Sequence, residues 1–487
     1  MSVLKTITIE PITRLEGHGK ISIFLNEEGN VENAYLQVPE LRGFERFCEG
    51  RKAEDLPQIM PRICGVCPVA HHFASTKALD AAFHVDPPPA AKKLRELMYS
   101  GYYVYDHTLH FYFLGAPDFV VGPDAPPAER NILGVIKKVG LDIAKEVIKH
   151  RAYGQKITAI IGGKATHPVC GLPGGISKPL KEEERQEIER MAESSVEFAK
   201  FTLKIFEDVV LKNKKYVDLI LSDAYTLPTY YMGLVDQNNK VNFYDGNVRV
   251  VDPEGREFVK FAPSYYLDVI EEHVEEWTYV KLPYLKRVGW KGLVGGPTSG
   301  IYRVGPLARL NASEGMATPL AQQEYERMYE TLGGKPVHST LAFHWARLIE
   351  QLYAAERTLE LSRDEEITSK EIRSKPGSPG EGVGIVEAAR GTLIHHYQLD
   401  EEGLAKKVNL IVATTNNAPA ICMSIRDAAK GLIRGEAVSE GLLNMVEMSF
   451  RAYDPCFACA THFAVGQMPL EVKIYDHEKR LLETLKR

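Results

Sequence analysis

The chain has 487 residues, of which 44% are hydrophobic, so it can bury a large core, and length alone would allow about three domains. A net charge of −6 and a pI near 6.2 give no indication of nucleic-acid binding. The seven cysteines are too few and too scattered for a disulfide scaffold, which favours a reducing compartment. Without an apolar signal core at the N-terminus or a long apolar run, we expect a cytoplasmic protein with no membrane span.

Short runs of β-prone residues open the chain. Thr6–Ile9, Lys20–Leu25 and Val31–Val38 predict three strands, with a hairpin turn at Glu28-Gly29-Asn30. The segment after Arg42 predicts a short helix that turns Phe44, Phe47 and Cys48 inward.

Helical spacing of apolar residues dominates much of the remaining chain. It predicts helices over residues 88–114, 127–150, 181–212, 318–332 and 339–361. Residues 216–292 instead alternate as short strands at 230–235, 241–244, 247–251 and 257–261, and residues 374–384 predict a loop rich in Gly and Pro. The sequence therefore predicts an α+β fold that is mainly α, with a large helical core, N-terminal β-hairpins and a β-rich insertion.

Two Cys-x-x-Cys pairs lie at opposite ends of the chain, Cys64 with Cys67 and Cys456 with Cys459. Four thiolates form a soft ligand set that suits zinc, iron or nickel better than magnesium or calcium. A zinc ribbon closes its pairs over roughly 15–20 residues, whereas Cys456 comes 389 positions after Cys67. This separation favours a site embedded in a large protein, although a structural zinc site stays open as an alternative.

The residues around both pairs resemble the two signatures of the nickel–iron hydrogenase large subunit. Arg62-Ile63-Cys64-Gly65-Val66-Cys67 with His71 matches the early signature, and Asp454-Pro455-Cys456-Phe457-Ala458-Cys459 with His462 matches the late one. The resemblance covers nearly the whole chain and implies one domain over residues 1–462. It also implies reversible heterolytic cleavage of dihydrogen. A protein like the complex-one relatives of this family, which lack these cysteines, is disfavoured.

The resemblance implies roles for the metal ligands. Cys64 and Cys456 would hold nickel terminally, while Cys67 and Cys459 would bridge nickel to an iron that carries carbon monoxide and cyanide. A second site would hold Mg²⁺ or Fe²⁺ through Glu45, the carbonyl of Leu410 and His462. Hard oxygen ligands suit magnesium.

Further residues gain roles only from the resemblance. On sequence alone Glu16 would be a solvated turn residue and His71 a core histidine. In the family, the position of Glu16 relays protons beside nickel, and the position of His71 supports the bridging cysteine. The other positions implied to act in or beside the site are Asp106 over the open coordination position, Arg390 over the iron, Asp454 of the late signature, and His167 facing a partner's cluster. Ala389 occupies the position where the family has proline. Asn417 occupies a position where the membrane-bound branch of the family has a tryptophan-asparagine pattern.

The chain has no cysteine set left for an iron–sulfur cluster, so the resemblance implies a small iron–sulfur partner subunit. The chain is most similar to cytoplasmic large subunits of the methyl-viologen-reducing type, linked to heterodisulfide reductase or to electron-bifurcating assemblies with flavin subunits. An NAD-reducing module is the alternative. A maturation protease would cut between His462 and Phe463 and remove residues 463–487, which otherwise would remain as a last structural strand.

Overall fold

The computed structural model describes residues 6–435, 438–462, 471–476, 478 and 480–486. The predicted N-terminal strands form an antiparallel sheet in the order β1-β2-β3: β1 Thr6–Ile9, β2 Lys20–Leu25 and β3 Val31–Gln37. The short helix α1 follows at Phe44–Cys48. Cys48 is buried as predicted, but Phe47 is 54% exposed, so its predicted inward orientation is wrong. A helix of little more than one turn buries only one narrow face.

Helices form most of the remaining structure. They are α2 Leu56–Ile59, α3 Pro68–Ala82, α4 Pro89–Leu109, α5 Ile132–Val139, α6 Leu141–Gly162, α7 Glu182–Phe206, α8 Lys214–Ile220, α9 Tyr266–Val269, α10 Pro306–Ala312, α11 Pro319–Thr331, α12 Phe343–Ser362, α13 Ala413–Leu432, α14 Glu440–Arg451 and α15 Phe457–Ala460. The helix predicted over 127–150 is two helices, because Gly140 has a φ of 95° and ends α5.

The helical core is built around α4, which packs against α6 and α12, while α12 also packs against α7. Two glycines allow α4 and α6 to approach closely. A Cβ atom on Gly154 would lie 2.5 Å from the carbonyl oxygen of Gly101. The fold is thus α+β and mainly α, as predicted.

A second antiparallel sheet lies against α3. Its order is β12-β13-β14, with β12 Glu381–Ala388, β13 Gly391–Leu399 and β14 Ala405–Ile411. Gly382 and Gly384 face α3, and a Cβ atom on either would lie 2.2 Å from a helix carbonyl oxygen. This close contact fixes the turn at Ala389 and Arg390 relative to the start of α3, where Cys67 lies. The predicted loop over 374–384 is shorter than expected because β12 begins at Glu381.

The β-rich segment contains the strands β6 Tyr230–Val235, β7 Asn247–Val251, β8 Glu257–Phe261, β9 Ile270–His273 and β10 Leu282–Leu285. The strand predicted at 241–244 is absent; Val241 makes only an isolated bridge with Val235. Strands β6, β7 and β8 form one sheet with β11, Tyr302–Arg303, which is parallel to β6. Strands β9 and β10 pair with each other in a separate sheet. The amide of Leu234 donates to Glu387 at the end of β12, so this segment supports the Arg390 turn.

Two short hairpins complete the described chain: β4 Gly171–Leu172 with β5 Gly175–Ile176, and β15 Glu471–Tyr475 with β16 Leu481–Lys486. β15 coincides with the predicted tail strand, while Phe463 and the rest of 463–470 lie outside the described residues. Among helices in the described ranges, none is long and apolar enough to cross a membrane.

Candidate metal centre

The two distant Cys-x-x-Cys pairs meet in the interior. The Sγ atoms of Cys64, Cys67, Cys456 and Cys459 all lie within 4.8 Å of one another, and all four residues are buried. The sulfur of Cys64 lies 3.5 Å from that of Cys456, and the sulfur of Cys67 lies 3.6 Å from that of Cys459. These four residues form the only such ligand group found in the part of the chain that the structure describes.

Local backbone structure presents each sulfur. Pro57 and Pro61 lie in the first turns of two short helices before Cys64, where proline needs no amide hydrogen. After Cys64 the chain turns back, so that the amides of Val66 and Cys67 donate to the Cys64 sulfur at 3.2 and 3.3 Å. Helix α3 then starts at Pro68.

The second pair is anchored to the N-terminal segment. The amide of Glu16 donates to the carbonyl of Pro455, and the amide of Phe457 donates to the carbonyl of Glu16. Thr414 accepts from the amide of Cys456 at 3.0 Å. No sequence motif singled out Thr414, which lies near the start of α13, because its contact depends on the tertiary fold.

The sulfur arrangement fits a tetrathiolate metal site. Four sulfurs about 2.3 Å from one ion would be roughly 3.8 Å apart, close to the observed separations. Burial raises the pKa of Cys456 and Cys459 well above that of a free thiol. A bound cation would provide the positive charge that four buried thiolates require.

Glu16 lies directly against this site. The Cys456 thiol donates to Glu16 Oε2 at 2.9 Å, and the amide of Ala458 donates to the same oxygen at 3.2 Å. Burial raises the pKa of the Glu16 carboxyl, and the neighbouring Cys64 raises it further. The carboxyl is therefore placed to exchange a proton with a ligand sulfur.

Arg390 lies between two predicted acidic residues. Its Nη1 donates to Asp106 at 3.2 Å, and its Nη2 is 2.9 Å from Asp454. One oxygen of Asp106 and Arg390 Nε are buried and have no hydrogen-bond partner within the described structure. No sequence motif pointed to Arg347 of α12, whose guanidinium interacts electrostatically with both aspartates.

The two predicted histidines differ in their surroundings. His71 is buried, and burial lowers its pKa to about 4, so the ring is neutral. Its Nδ1 is 3.2 Å from His395 Nε2, and His395 Nδ1 is 2.6 Å from the Tyr397 hydroxyl. His167 is only partly buried, in a loop next to Pro61, and its φ is 55°.

The three groups predicted for a second metal also meet. The Leu410 amide donates to Glu45 Oε1 at 2.8 Å, and His462 Nε2 lies 2.8 Å from the Leu410 carbonyl oxygen and 3.7 Å from Glu45 Oε1. Burial raises the pKa of Glu45 to about 7. Glu272 of β9 interacts electrostatically with Glu45 and His462, and its Oε1 is buried without a hydrogen-bond partner in the described structure. This oxygen-rich set fits a hard cation.

A large chain that buries four converging cysteine sulfurs beside an acid and an arginine has the features of a metalloprotein subunit. A family model described as "Nickel-dependent hydrogenase" matches residues 42–132 and 145–462, and one described as "HoxL-like" matches residues 6–41. The chain therefore belongs to the nickel-dependent hydrogenase family, and it is an oxidoreductase of the nickel–iron type. This family assignment favours the hydrogenase interpretation over the zinc alternative.

Relatives match over nearly the full length. An F420-non-reducing hydrogenase iron-sulfur subunit of Archaeoglobus profundus is 50% identical and covers 99% of this chain and 100% of its own. The NAD-reducing hydrogenase HoxS subunit beta of Cupriavidus necator is 38% identical over 98% of this chain and 99% of its own. A crystal structure of an NAD⁺-reducing NiFe-hydrogenase in the H2-reduced state is 37% identical, with a TM-score of 0.89, over 94% of this chain and 99% of that one.

Proposed function

We propose that Cys64, Cys67, Cys456 and Cys459 hold a nickel–iron centre at which dihydrogen is cleaved heterolytically and reversibly. Cys64 and Cys456 would be terminal nickel ligands, and Cys67 and Cys459 would bridge to an iron that bears carbon monoxide and cyanide. The observation that carries the proposal is the convergence of four buried sulfurs within 4.8 Å. When bound, the centre supplies the redox chemistry and the polarisation of dihydrogen.

The protein's own groups would move the proton and stabilise charge. Glu16 would accept the proton from the Cys456 sulfur, because its carboxylate lies 2.9 Å away and its pKa is raised towards that of a useful base. Arg390, held by Asp106 and Asp454, would place a fixed positive charge beside the centre. His71 would support Cys67 as a neutral ring, oriented by His395.

Metal analysis of the purified native enzyme tests this assignment. We expect nickel and iron in the enzyme, no stoichiometric zinc, and infrared bands from carbon monoxide and cyanide on iron. Cys67→Ser should abolish nickel binding, whereas Cys422→Ser, which changes a buried cysteine outside the cluster, should leave it intact. Stoichiometric zinc without nickel in active protein would contradict the proposal.

The second site would hold Mg²⁺ or Fe²⁺ through Glu45, the Leu410 carbonyl and His462. The convergence of these three groups supports the proposal, and Glu272 adds a further acidic group near the site. This second site would stabilise the late signature next to the nickel–iron centre, because His462 Nδ1 also lies 2.9 Å from the carbonyl oxygen of the proposed ligand Cys459.

Electrons would leave through a small iron–sulfur subunit. Within the described structure, the three cysteines outside the cluster are separate from it, so they offer no second cluster site. The proposed docking face includes His167 and the neighbouring hollow of about 920 Å³, lined by residues such as Phe44, exposed Phe47 and Arg62. Aromatic residues and arginine, which are enriched at protein–protein interfaces, both line this hollow.

The proposed branch is the cytoplasmic one, in which electrons pass to a heterodisulfide-reductase-type or bifurcating assembly with a flavin subunit. This branch is supported by several relatives that are named as parts of F420-non-reducing hydrogenases and are 41–50% identical to this chain. The relative named as part of an NAD-reducing hydrogenase, which represents the alternative, is 38% identical. The free cysteines support a reducing compartment. Purification of the native complex and identification of its co-eluting subunits tests the branch. A monomer with full dye-reducing activity would contradict the need for a partner.

The active enzyme would end at His462 after a maturation protease removes residues 463–487. His462 is already fully buried beside Leu410 in the full chain, so the cut would not need to move this residue into the second site. We expect the intact mass of the nickel-loaded, active chain to correspond to a C-terminus at His462. A fully active chain that retains Arg487 would contradict the cut and favour the structural-strand alternative.

A further inference from the structure

The turn that carries Arg390 is tied to its surroundings through its backbone. Ala389 and Arg390 form the two-residue connection between β12 and β13. The guanidinium of Arg309 donates to the carbonyl oxygens of Ala388 and Ala389 at 2.8 and 3.2 Å. The Asn417 side chain donates to the Arg390 carbonyl at 3.3 Å. These contacts satisfy carbonyl groups of the turn, whereas the amide of Ala389 takes its partner from α4.

Tyr102 of α4 supplies that partner. The Ala389 amide donates to the Tyr102 hydroxyl oxygen at 3.2 Å, and Tyr102 is fully buried. Tyr99 and Tyr103 lie on the same face of the helix, and each donates its hydroxyl to the Glu387 carbonyl at 2.7 Å. Three tyrosines on two consecutive turns of α4 therefore contact the end of β12 and the turn directly before Arg390.

We infer that Tyr102 is a positioning residue that sets the location of the Arg390 guanidinium by holding the Ala389 amide. The inference rests on the proposed role of Arg390 beside the metal centre. Arg390 itself follows Ala389 directly, so a shift of this peptide moves the side chain that meets Asp106 and Asp454. Tyr102 would thus contribute to the reaction by positioning Arg390, and no sequence motif identifies it.

The same contact makes Tyr102 and a proline at position 389 mutually exclusive. Ala389 is not among the residues with positive φ, and Ala388 before it lies in an extended strand, the conformation that a following proline favours. A proline ring, however, replaces the amide hydrogen by a carbon that would lie roughly 2 Å from the Tyr102 oxygen. Ala389 occupies the position where the resembling family has proline, and the contact with Tyr102 is compatible with alanine but not with proline at this position.

A double-mutant cycle on the purified native complex tests the inference. Tyr102→Phe leaves the Ala389 amide buried and unpaired, so we expect the Tm to fall by about 2 °C. We also expect shifted infrared bands of the diatomic iron ligands at unchanged nickel content. Ala389→Pro alone should lower the Tm further and reduce nickel content, because the ring collides with the hydroxyl. The double variant should recover at least about half of that loss, since phenylalanine makes room and proline needs no acceptor.

Tyr99→Phe is the matched control. It removes one of two hydroxyls on the Glu387 carbonyl, so its effect on Tm should be small and additive with Ala389→Pro. Additivity between Tyr102→Phe and Ala389→Pro would overturn the coupling, and wild-type infrared bands in Tyr102→Phe would overturn the positioning role. Absence of such bands from the wild-type enzyme would contradict the proposed iron ligands instead. The Tm coupling and the nickel content would then decide the inference.

Discussion

Replacing Glu16 by glutamine should slow isotope exchange between dihydrogen and solvent by about 10²–10⁴-fold. Nickel and iron content should not change. Glutamine can still accept hydrogen bonds from Cys456 and from the Ala458 amide, which lie 2.9 and 3.2 Å from Glu16 Oε2. It cannot take up a proton at physiological pH, so only the proton-transfer step is lost. Mass-spectrometric measurement of the exchange, together with metal analysis of the same preparation, checks the result.

Glu10→Gln is the control for this experiment. Glu10 is an exposed carboxylate on the same N-terminal segment, whose one ion pair in the described structure is with Lys20 at 3.5 Å. It should exchange and bind metal like the wild type. Wild-type exchange in Glu16→Gln would show that protons leave the centre by another group.

Replacing Arg309 by methionine should lower the free energy of unfolding by about 3–5 kcal/mol. Arg309 is fully buried and pairs with Glu350 at 2.5 Å and Glu387 at 2.7 Å, both of which are also fully buried. Removal of the guanidinium leaves two carboxylates uncompensated in the interior. It also frees the carbonyls of Ala388 and Ala389. Chemical denaturation of the purified complex measures the change.

Arg357→Met provides the matched control on α12. Arg357 pairs with Glu96 at 2.7 Å and with Glu360 at 2.8 Å, but its side chain is 25% exposed and that of Glu360 is 61% exposed. Its loss should therefore cost clearly less than that of Arg309, about 1 kcal/mol. If Arg309→Met is too unstable to purify, Arg309→Lys keeps the charge and should give an intermediate loss. An unfolding midpoint equal to that of the wild type in Arg309→Met would contradict a stabilising role for the cluster.

Local patterns predicted much of the secondary structure. The alternation of β2 and the apolar spacing of α4 and α12 depend on neighbours within a few residues, and these elements form where expected. Two predictions were wrong where contacts with residues distant in sequence decide the structure. The strand predicted at 241–244 is absent, and Phe47 is exposed although its spacing suggested a core position. One further error is local: Gly140, whose φ is 95°, divides a helix that apolar periodicity predicted as continuous.

The sequence by itself predicted the four candidate metal ligands, because Cys-x-x-Cys spacing and its flanking residues are local and specific, and the fold brings the four sulfurs together. It also supplied Glu16, Glu45, Arg390 and His462 through the resemblance, and the fold brings these residues to the two sites. Only the tertiary structure identified Thr414, Arg347, Glu272 and Tyr102. Their contacts join segments tens to hundreds of residues apart, and such long-range contacts form only when burial of the core brings the helices and sheets together.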